Sequence, residues 1–206
     1  FRSVRLLKEA PAIEGLPHAH GRCETADILL EDSALHVRAH LYLTLFADKD
    51  ALVKSFRFEN TGKKKVRLTR AMSMQLDLPR CDYDLVHFGG RWAKERDYFC
   101  NPVADGVQEV SSNLGRSSAE ENPFVFLKER SATMDCGEVI GFNLVYSGNF
   151  KFRTFTNFLR GLHITYGMKD EDFEGTLAPG EVFCTPQAVI VYSSHGIDAM
   201  SQTFHR

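Results

Sequence analysis

Apolar and polar residues alternate along much of this chain, and this alternation limits the possible folds more than any other feature of the sequence. Within residues 35–45 every second side chain is apolar, and His, Arg, Tyr and Thr occupy most of the positions between. Successive side chains of a β-strand point to opposite faces of a sheet. The pattern therefore predicts a long strand whose buried face carries the apolar set Leu35, Val37, Ala39, Leu41, Leu43 and Leu45.

Similar runs follow along the rest of the chain, separated by turn signals such as Asn-Thr-Gly and Ala-Pro-Gly-Glu. They cover residues 53–59, 66–78, 140–146, 150–152, 162–168 and 182–183, and a short continuous apolar run at residues 188–192 is consistent with a strand buried on both faces. The basic run at residues 63–65 follows one of these signals and is interpreted as a solvated hairpin turn. Many strands with almost no helical period predict an all-β fold, a large antiparallel β-sandwich. One exception is the spacing of Ile197, Met200 and Phe204, which predicts a helical face near the C-terminal residue.

Residues 79–123 differ from the rest because they are rich in Asp, Gly, Ser, Asn and Glu and show poor periodicity. We interpret them as a long loop that forms the functional edge of the domain. They include the only tryptophan, Trp92, which follows Gly89 and Gly90 in a polar segment. Its indole could present a flat apolar face to a partner, or fold back to cap the end of a sheet. The residues alone leave both interpretations open.

Composition excludes several classes of function. The net charge of −2 with mixed signs gives no electrostatic case for binding nucleic acid or an anionic membrane. No apolar segment approaches the roughly 20 residues that span a bilayer. The cysteine count of 5 is odd, and no two cysteines stand in C-x-x-C spacing. This usage argues against a disulfide framework and a zinc site, and it suits a reducing cytoplasm.

Two groups of polar residues are candidates for catalytic or metal chemistry. Asp77, Asp82 and Asp84 are close in sequence, but their spacing does not require the separation of two glycosidase carboxylates, and we expect them to hydrogen-bond local backbone. His18 and His20 could join Cys23 as metal ligands, but no fourth ligand has recognisable spacing. We therefore expect no catalytic residue, no metal site and no cofactor.

Several motifs occur in an order that resembles the family 36 glycoside hydrolases, the microbial and fungal α-galactosidases. Residues 82–96 match Asp-Tyr-Asp-x-x-His-x-x-Gly-x-Trp-x-x-Glu-Arg, and residues 56–62 read Phe-Arg-Phe-Glu-Asn-Thr-Gly. Further matches are Ser-Ser at 117–118, Asn-Pro-Phe at 122–124, residues 144–150, Thr-Pro at 185–186 and residues 200–206. The resemblance covers nearly the whole chain and implies the family's N-terminal β-supersandwich, a fold shared with galactose mutarotases.

The resemblance also implies how the chain is organised and what it binds. Residues 1–206 would be a single domain fragment, truncated at both ends, and residues from about 195 to 206 would begin a linker helix to an absent catalytic (β/α)8 barrel. Both catalytic aspartates of the family lie on that barrel. Trp92 matches a tryptophan that reaches the sugar, and Arg91 and Arg96 are weaker candidates for substrate binding. The full-length protein would be a cytoplasmic homo-oligomer, commonly a tetramer, that hydrolyses terminal α-galactosides such as melibiose and raffinose with retention.

One departure from the family pattern and two rival functions remain. Where the family often has His-Gln-His before the Asn-Pro-Phe motif, this chain has Ala119, Glu120 and Glu121, which suggests a divergent specificity. His87 lies within the matched segment and is expected to order a loop by hydrogen bonding rather than to act as a base. The first rival is a free-standing carbohydrate-binding sandwich with Trp92 as its stacking platform. The second is a mutarotase-like epimerase that uses His36 or His40 on one strand face.

Overall fold

The computed structural model describes residues 1–171 and 173–206, and β-strands dominate this part of the chain. The strands are β1 (Ser3–Leu7), β2 (Glu24–Asp32), β3 (Val37–Phe46), β4 (Ala51–Asn60), β5 (Val66–Leu68), β6 (Met72–Leu78), β7 (Tyr83–Arg91), β8 (Lys94–Pro102), β9 (Gly106–Ser111), β10 (Glu121–Glu129), β11 (Val139–Leu144), β12 (Phe150–Thr156), β13 (Leu162–Met168), β14 (Gly175–Leu177), β15 (Val182–Cys184) and β16 (Ala188–Ser193). A short 3-10 helix, Ala47–Lys49, joins β3 to β4, and helix α1 spans Gly196–Phe204. None of the described helices is long and apolar enough to cross a bilayer.

Ten strands form one large antiparallel sheet. Its order is β1-β2-β3-β4-β16-β11-β10-β7-β8, and β15 also pairs with β4. The first half of β4 pairs with β16, where Val53 lies opposite Val189. The second half pairs with β15, where Phe58 lies opposite Phe183. One long strand therefore joins two neighbours in succession.

A second antiparallel sheet, ordered β6-β13-β12-β9, packs on the central strands of the large sheet. The interface is a core of fully buried aromatic and aliphatic side chains, among them Phe142 of the large sheet and Phe152 of the second sheet, whose ring centroids are 5.3 Å apart. Tyr166 crosses this core, because its hydroxyl donates to the Pro123 carbonyl and accepts from the Leu144 N–H at 3.0 Å. The prediction of a large antiparallel β-sandwich is confirmed.

Helix α1 packs on the opposite face of the large sheet. Met200 is fully buried, and Ile197 and Phe204 pack beside it against a second core, which confirms the helical face predicted from their spacing. Gly141 on β11 makes this contact possible, because a β-carbon there would lie 2.5 Å from the Met200 sulfur. The helix and the second sheet thus cover opposite faces of the same central strands.

The predicted buried face of β3 is wrong. His40 and Thr44, on the polar face, are buried, whereas Leu45 is 47% exposed and the other members of the predicted apolar set within the strand are only half-buried. The strand also begins at Val37, since Leu35 lies in the preceding turn. The second sheet ends at β6, where the Lys54 ammonium donates to the Gln75 carbonyl at 2.6 Å. In the described part of the chain no strand of that sheet covers the apolar face of β1–β3.

The polar face of β2 and β3 is buried instead, and hydrogen bonds satisfy its side chains. The Thr25 hydroxyl donates to the Glu9 carbonyl at 2.7 Å, in the segment before β2. Asp27 binds His40 Nδ1 with one carboxylate oxygen and the Arg5 guanidinium with the other, each at 2.7 Å. A carboxylate is stable in such a buried position because both oxygens have partners. Periodicity predicted which side chains share a face, but not which face is covered.

Two further interpretations of the sequence need correction. Residues 66–78 form two strands rather than one, because β5 pairs with β14 and β6 pairs with β13. The chain changes sheets at the polar interruption, where Arg70 forms an ion pair with Asp170 at 3.3 Å. The lysines at residues 63–65 are exposed as predicted, but the strands on either side of them are not paired with each other, so the turn is not a hairpin.

Residues 79–123 are not a long loop, since they contain β7, β8, β9 and the start of β10. Strand β8 has no apolar alternation because every one of its residues is exposed at the open edge of the sheet. The segment does form an edge of the domain, as predicted, but it is an edge built from paired strands.

Candidate functional site

Strands β7 and β8 form a hairpin with Trp92 at its tip. His87 lies opposite Phe99 and Phe88 opposite Tyr98, and after a shift in register Arg91 lies opposite Lys94. Trp92 is 93% exposed, which excludes the interpretation that it caps the end of a sheet within the described chain. Arg91 and Arg96 are also exposed on this turn. The structure therefore brings the three predicted substrate-binding residues to one end of a single hairpin.

Local geometry explains why the hairpin turns at this point. A β-carbon on Gly90 would collide with the carbonyl oxygen of Lys94, so the two strands cross too closely for a side chain. Ala93 and Arg96 both have φ of 61°, a left-handed conformation that costs free energy for residues with a β-carbon. The Ala93 N–H donates to the Glu95 carboxylate at 3.0 Å, which helps hold the turn.

On one face of the hairpin, His87 stacks on Phe99 with ring centroids 5.1 Å apart. Its Nδ1 lies 3.7 Å from a carboxylate oxygen of Glu121 on β10. Both atoms are buried, and neither has a hydrogen-bond partner among the described residues. The prediction that His87 orders this segment through a hydrogen bond is therefore not met at Nδ1, and the ring contacts β8 by stacking.

On the other face, a row of aromatic side chains connects the hairpin to α1. Phe88 packs edge-on against Tyr98 at 5.8 Å and stacks on Phe124 at 6.0 Å. Phe124 in turn meets Phe204 of α1 edge-on at 5.1 Å. Burial against these rings raises the pKa of Tyr98. This aromatic row was not predicted from the sequence, in which Tyr98 and Phe99 are adjacent but Phe88 and Phe124 are far apart.

The three aspartates considered as catalytic carboxylates each pair with a different basic side chain. Asp77 binds His163 at 2.7 Å, Asp82 binds Arg80 at 3.3 Å and Asp84 binds Lys128 at 3.1 Å. Their partners are side chains rather than the local backbone expected from the sequence. A basic side chain thus accounts for each carboxylate.

A cluster of hydrogen-bonded polar side chains lies at the other end of β7. Burial, together with a hydrogen bond to Glu138, raises the pKa of Tyr83 to about 12. Burial alone would raise the pKa of Glu138, but hydrogen bonds from Tyr83 and Arg80 outweigh it and lower that pKa. Arg80 bridges Glu129 at 2.9 Å and Glu138 at 2.7 Å. The cluster ties the ends of β7, β10 and β11 together, eight strand positions from Arg91 and roughly 26 Å along an extended strand.

The other candidate histidines are accounted for differently. His18 and His20 line a cavity of about 310 Å³ together with Phe46 and Phe204. Among residues 1–171 and 173–206 no three His, Cys, Asp or Glu side chains are grouped to hold a metal. The 5 cysteines are all free thiols, and burial raises the pKa of Cys23.

The epimerase alternative required a histidine acid and a carboxylate base converging in a cleft of the sheet, with His36 and His40 on one strand face as the candidate histidines. His36 has φ of 52° in the turn before β3, so only His40 lies on the strand. Burial alone would raise the pKa of Asp27, but its hydrogen bonds to His40 and Arg5 outweigh this effect and lower the pKa. The buried Asp27 carboxylate therefore holds His40 Nδ1 at 2.7 Å, beneath the segment before β2.

Comparison with known proteins gives a consistent result for the whole chain. The glycosyl hydrolase family 36 N-terminal domain matches residues 1–178. The chain is 37% identical to alpha-galactosidase AgaA of Geobacillus stearothermophilus and 36% identical to alpha-galactosidase C of Emericella nidulans. All of the chain is covered in both cases, but it spans only 29% and 28% of those proteins.

Solved structures agree with the sequence relatives. A crystal structure of an AgaA variant in complex with 1-deoxygalactonojirimycin superposes with a TM-score of 0.97, covering 100% of this chain and 29% of that one at 37% identity. The galactosidase domain of the alpha-galactosidase-sucrose kinase AgaSK superposes with a TM-score of 0.95, covering 99% of this chain and 29% of that one at 30% identity. The chain therefore belongs to glycosyl hydrolase family 36, as its N-terminal domain.

Proposed function

We propose that this domain is the non-catalytic N-terminal part of an α-galactosidase and that the tip of its β7–β8 hairpin forms one wall of the sugar pocket. The observation that carries the proposal is the position of Trp92, an indole that is 93% exposed at the tip of a well-anchored hairpin. An exposed indole of this kind offers a flat apolar face and one N–H donor to a ligand. Arg91 and Arg96 add guanidinium donors suited to sugar hydroxyl groups.

The relatives support the substrate class. AgaA variants have been crystallised in complex with stachyose and with raffinose, and both structures superpose on this chain with a TM-score of 0.96. For the full-length protein we propose retaining hydrolysis of terminal α-galactosides such as melibiose and raffinose. That reaction needs two carboxyl groups about 5–5.5 Å apart. In this proposal they come from a catalytic barrel that follows the linker helix, α1.

A single substitution tests the role of Trp92 in the full-length enzyme. Trp92→Ala removes one sugar contact, which should cost about 1–3 kcal/mol, or roughly five- to a hundredfold in kcat/KM. The melting temperature should stay within about 2 °C of the parent, because an exposed side chain contributes little to folding. Phe158 is the matched control, since it is 92% exposed on a different turn, and Phe158→Ala should leave kcat/KM unchanged. Equal kinetics for Trp92→Ala and the parent would remove Trp92 from the site.

We further propose that the full-length enzyme is a cytoplasmic homo-oligomer, a tetramer. The incompletely covered apolar face of β1–β3 supports an assembly role. On β1, Leu6 is 81% exposed and Val4 is 50% exposed beside it. The free thiols support a reducing compartment. Light scattering on the purified full-length enzyme measures its mass directly, and a monomer at micromolar concentration would contradict the assembly.

The exposed indole also suits the rival function of a free-standing carbohydrate-binding module, and affinity separates the two proposals. Contacts from a single wall of the pocket cannot offset the entropic cost of binding a sugar. Titration calorimetry of the 206-residue chain with galactose and raffinose should therefore detect no binding at millimolar ligand. A dissociation constant below about 1 mM, corresponding to roughly 4 kcal/mol, would favour the binding module.

A further inference from the structure

We propose that Glu121 and His87 act as a pair of positioning residues that holds the β7–β8 hairpin, and with it Trp92, in the orientation that meets the substrate. The proposal rests on the proposed role of Trp92 and assigns a structural cause to its orientation. Neither residue is given a chemical step.

Two buried polar atoms of this pair face each other, and neither has another partner among the described residues. His87 Nδ1 and one Glu121 carboxylate oxygen lie 3.7 Å apart, and no other described residue hydrogen-bonds either atom. A buried polar atom without a partner is destabilising, because it gives up its hydrogen bonds to water and gains none in the protein. A movement of about 1 Å would bring the two atoms within hydrogen-bond distance. A hydrogen bond between the two atoms would then offset the cost of burying both side chains.

The pair lies beside the residues of the hairpin that come just before its turn. His87 lies on β7 and stacks on Phe99 of β8, so it contacts both strands. Glu121 lies against the residues just before the turn, because a β-carbon on Gly89 would be 3.4 Å from its second carboxylate oxygen. The Gly90 N–H donates to the carbonyl of Glu120 at 2.9 Å. The start of β10 thus contacts the hairpin immediately below Trp92.

The main-chain pairing between β7 and its two neighbouring strands is irregular near the turn of the hairpin. Strand β10 pairs regularly with β7 from Val125 onward, but the register shifts between Glu121 and Val125. A second shift occurs in the hairpin between Gly89 and Arg91. Main-chain hydrogen bonds therefore restrain this region less than a continuous ladder would, and side-chain contacts must supply part of the restraint.

Glu121 also belongs to the segment in which this chain departs from the resembled family, where His-Gln-His is common. Ala119, Glu120 and Glu121 occupy those positions here. The change places a carboxylate, rather than an imidazole, beside His87. Divergent specificity can then arise from the aim of the hairpin, with Trp92 itself retained.

The single tryptophan makes the hairpin directly observable. Time-resolved fluorescence anisotropy of the chain reports only Trp92, and loop motion on the nanosecond scale shows as a fast depolarising component. We expect Glu121→Ala to increase the amplitude of that component. Glu120→Ala is the matched control, because the adjacent residue loses the same carboxylate while its carbonyl contact with Gly90 is kept.

Kinetics of the full-length enzyme separate this proposal from the role of Trp92. Loss of the pair should raise KM roughly three- to tenfold, the equivalent of one hydrogen bond, and change kcat less. A mobile Trp92 with unchanged KM would support the positioning pair and refute substrate contact by Trp92. Should Glu121→Ala not fold, Glu121→Leu keeps the side-chain volume, removes the carboxylate and carries the same expectation. Anisotropy identical to the parent in the folded Glu121 variants, or an equal increase in Glu120→Ala, would overturn the proposal.

Discussion

Tyr166 offers the most direct test of how the two layers of the sandwich are held together. The residue is fully buried on β13 of the second sheet, and its hydroxyl reaches the main chain of the large sheet. Tyr166→Phe removes one oxygen atom and leaves the ring in place. The Pro123 carbonyl then loses a donor, and the Leu144 N–H loses an acceptor that lies 3.0 Å away.

The expected cost follows from those two orphaned groups. Each buried polar group left without a partner costs about 1–3 kcal/mol, and partial access of water to Pro123 reduces its share, so we expect about 2–4 kcal/mol in total. For a domain of this size the melting temperature should fall by roughly 5–15 °C. Urea denaturation measures the free energy of unfolding, and the slope with urea should stay constant because the exposed area is unchanged.

Tyr192→Phe is the control for this measurement. It removes the same atom from a residue that is 50% exposed, where the hydroxyl donates to Glu138 at 3.3 Å. Water replaces that bond, so the cost should stay below about 0.5 kcal/mol. If Tyr166→Phe cost no more than Tyr192→Phe, the hydroxyl would not join the layers and the reasoning from buried hydrogen bonds would fail.

Two further predictions concern the hairpin and the buried ion pair. Gly90→Ala should push β7 away from Lys94 and destabilise the fold by about 1–3 kcal/mol through overpacking, which lowers the melting temperature by several degrees. The mobility of Trp92 should increase as well. Unchanged fluorescence anisotropy would show that the close crossing at Gly90 is unimportant. Asp27 has a pKa below its usual value because His40 and Arg5 bind it, so its contribution to stability is present above about pH 4 and is lost as pH falls through the folded pKa. Urea melts at pH 5 and pH 3 should therefore show a smaller pH dependence for Asp27→Asn than for the parent, and equal dependence would refute the role of the pair.

Local patterns were sufficient to predict the strands of the central core. The runs that became β11 and β13 keep their alternating apolar residues on the faces buried between the two sheets, so alternation and burial agree. The continuous apolar run of β16 is buried or half-buried except at Tyr192, which is 50% exposed. In β3 alternation and burial disagree, because burial depends on where another sheet ends. That boundary is set by β6 and its contact from Lys54 to Gln75, a long-range feature that period two does not encode.

The site could be predicted from sequence only in part, for a similar reason. Trp92 was recognisable because a lone indole beside two glycines is unusual in a polar segment, and its exposure agrees with a binding role. The surroundings of His87 were not recognisable, because Glu121 reaches it across strands from a position 34 residues later in the numbering. Edge strand β8 was missed because residues exposed on both faces leave no hydrophobic period to detect.

The central claim is that Trp92 touches the sugar in the intact enzyme, and the most direct measurement is a distance. A crystal structure of the full-length protein, with its nucleophile disabled and raffinose bound, gives the separation between the Trp92 indole and the galactosyl ring. We predict contact within about 4.5 Å, the range of van der Waals packing. A bound galactosyl group more than about 8 Å from Trp92, with another residue forming that wall of the pocket, would contradict the account.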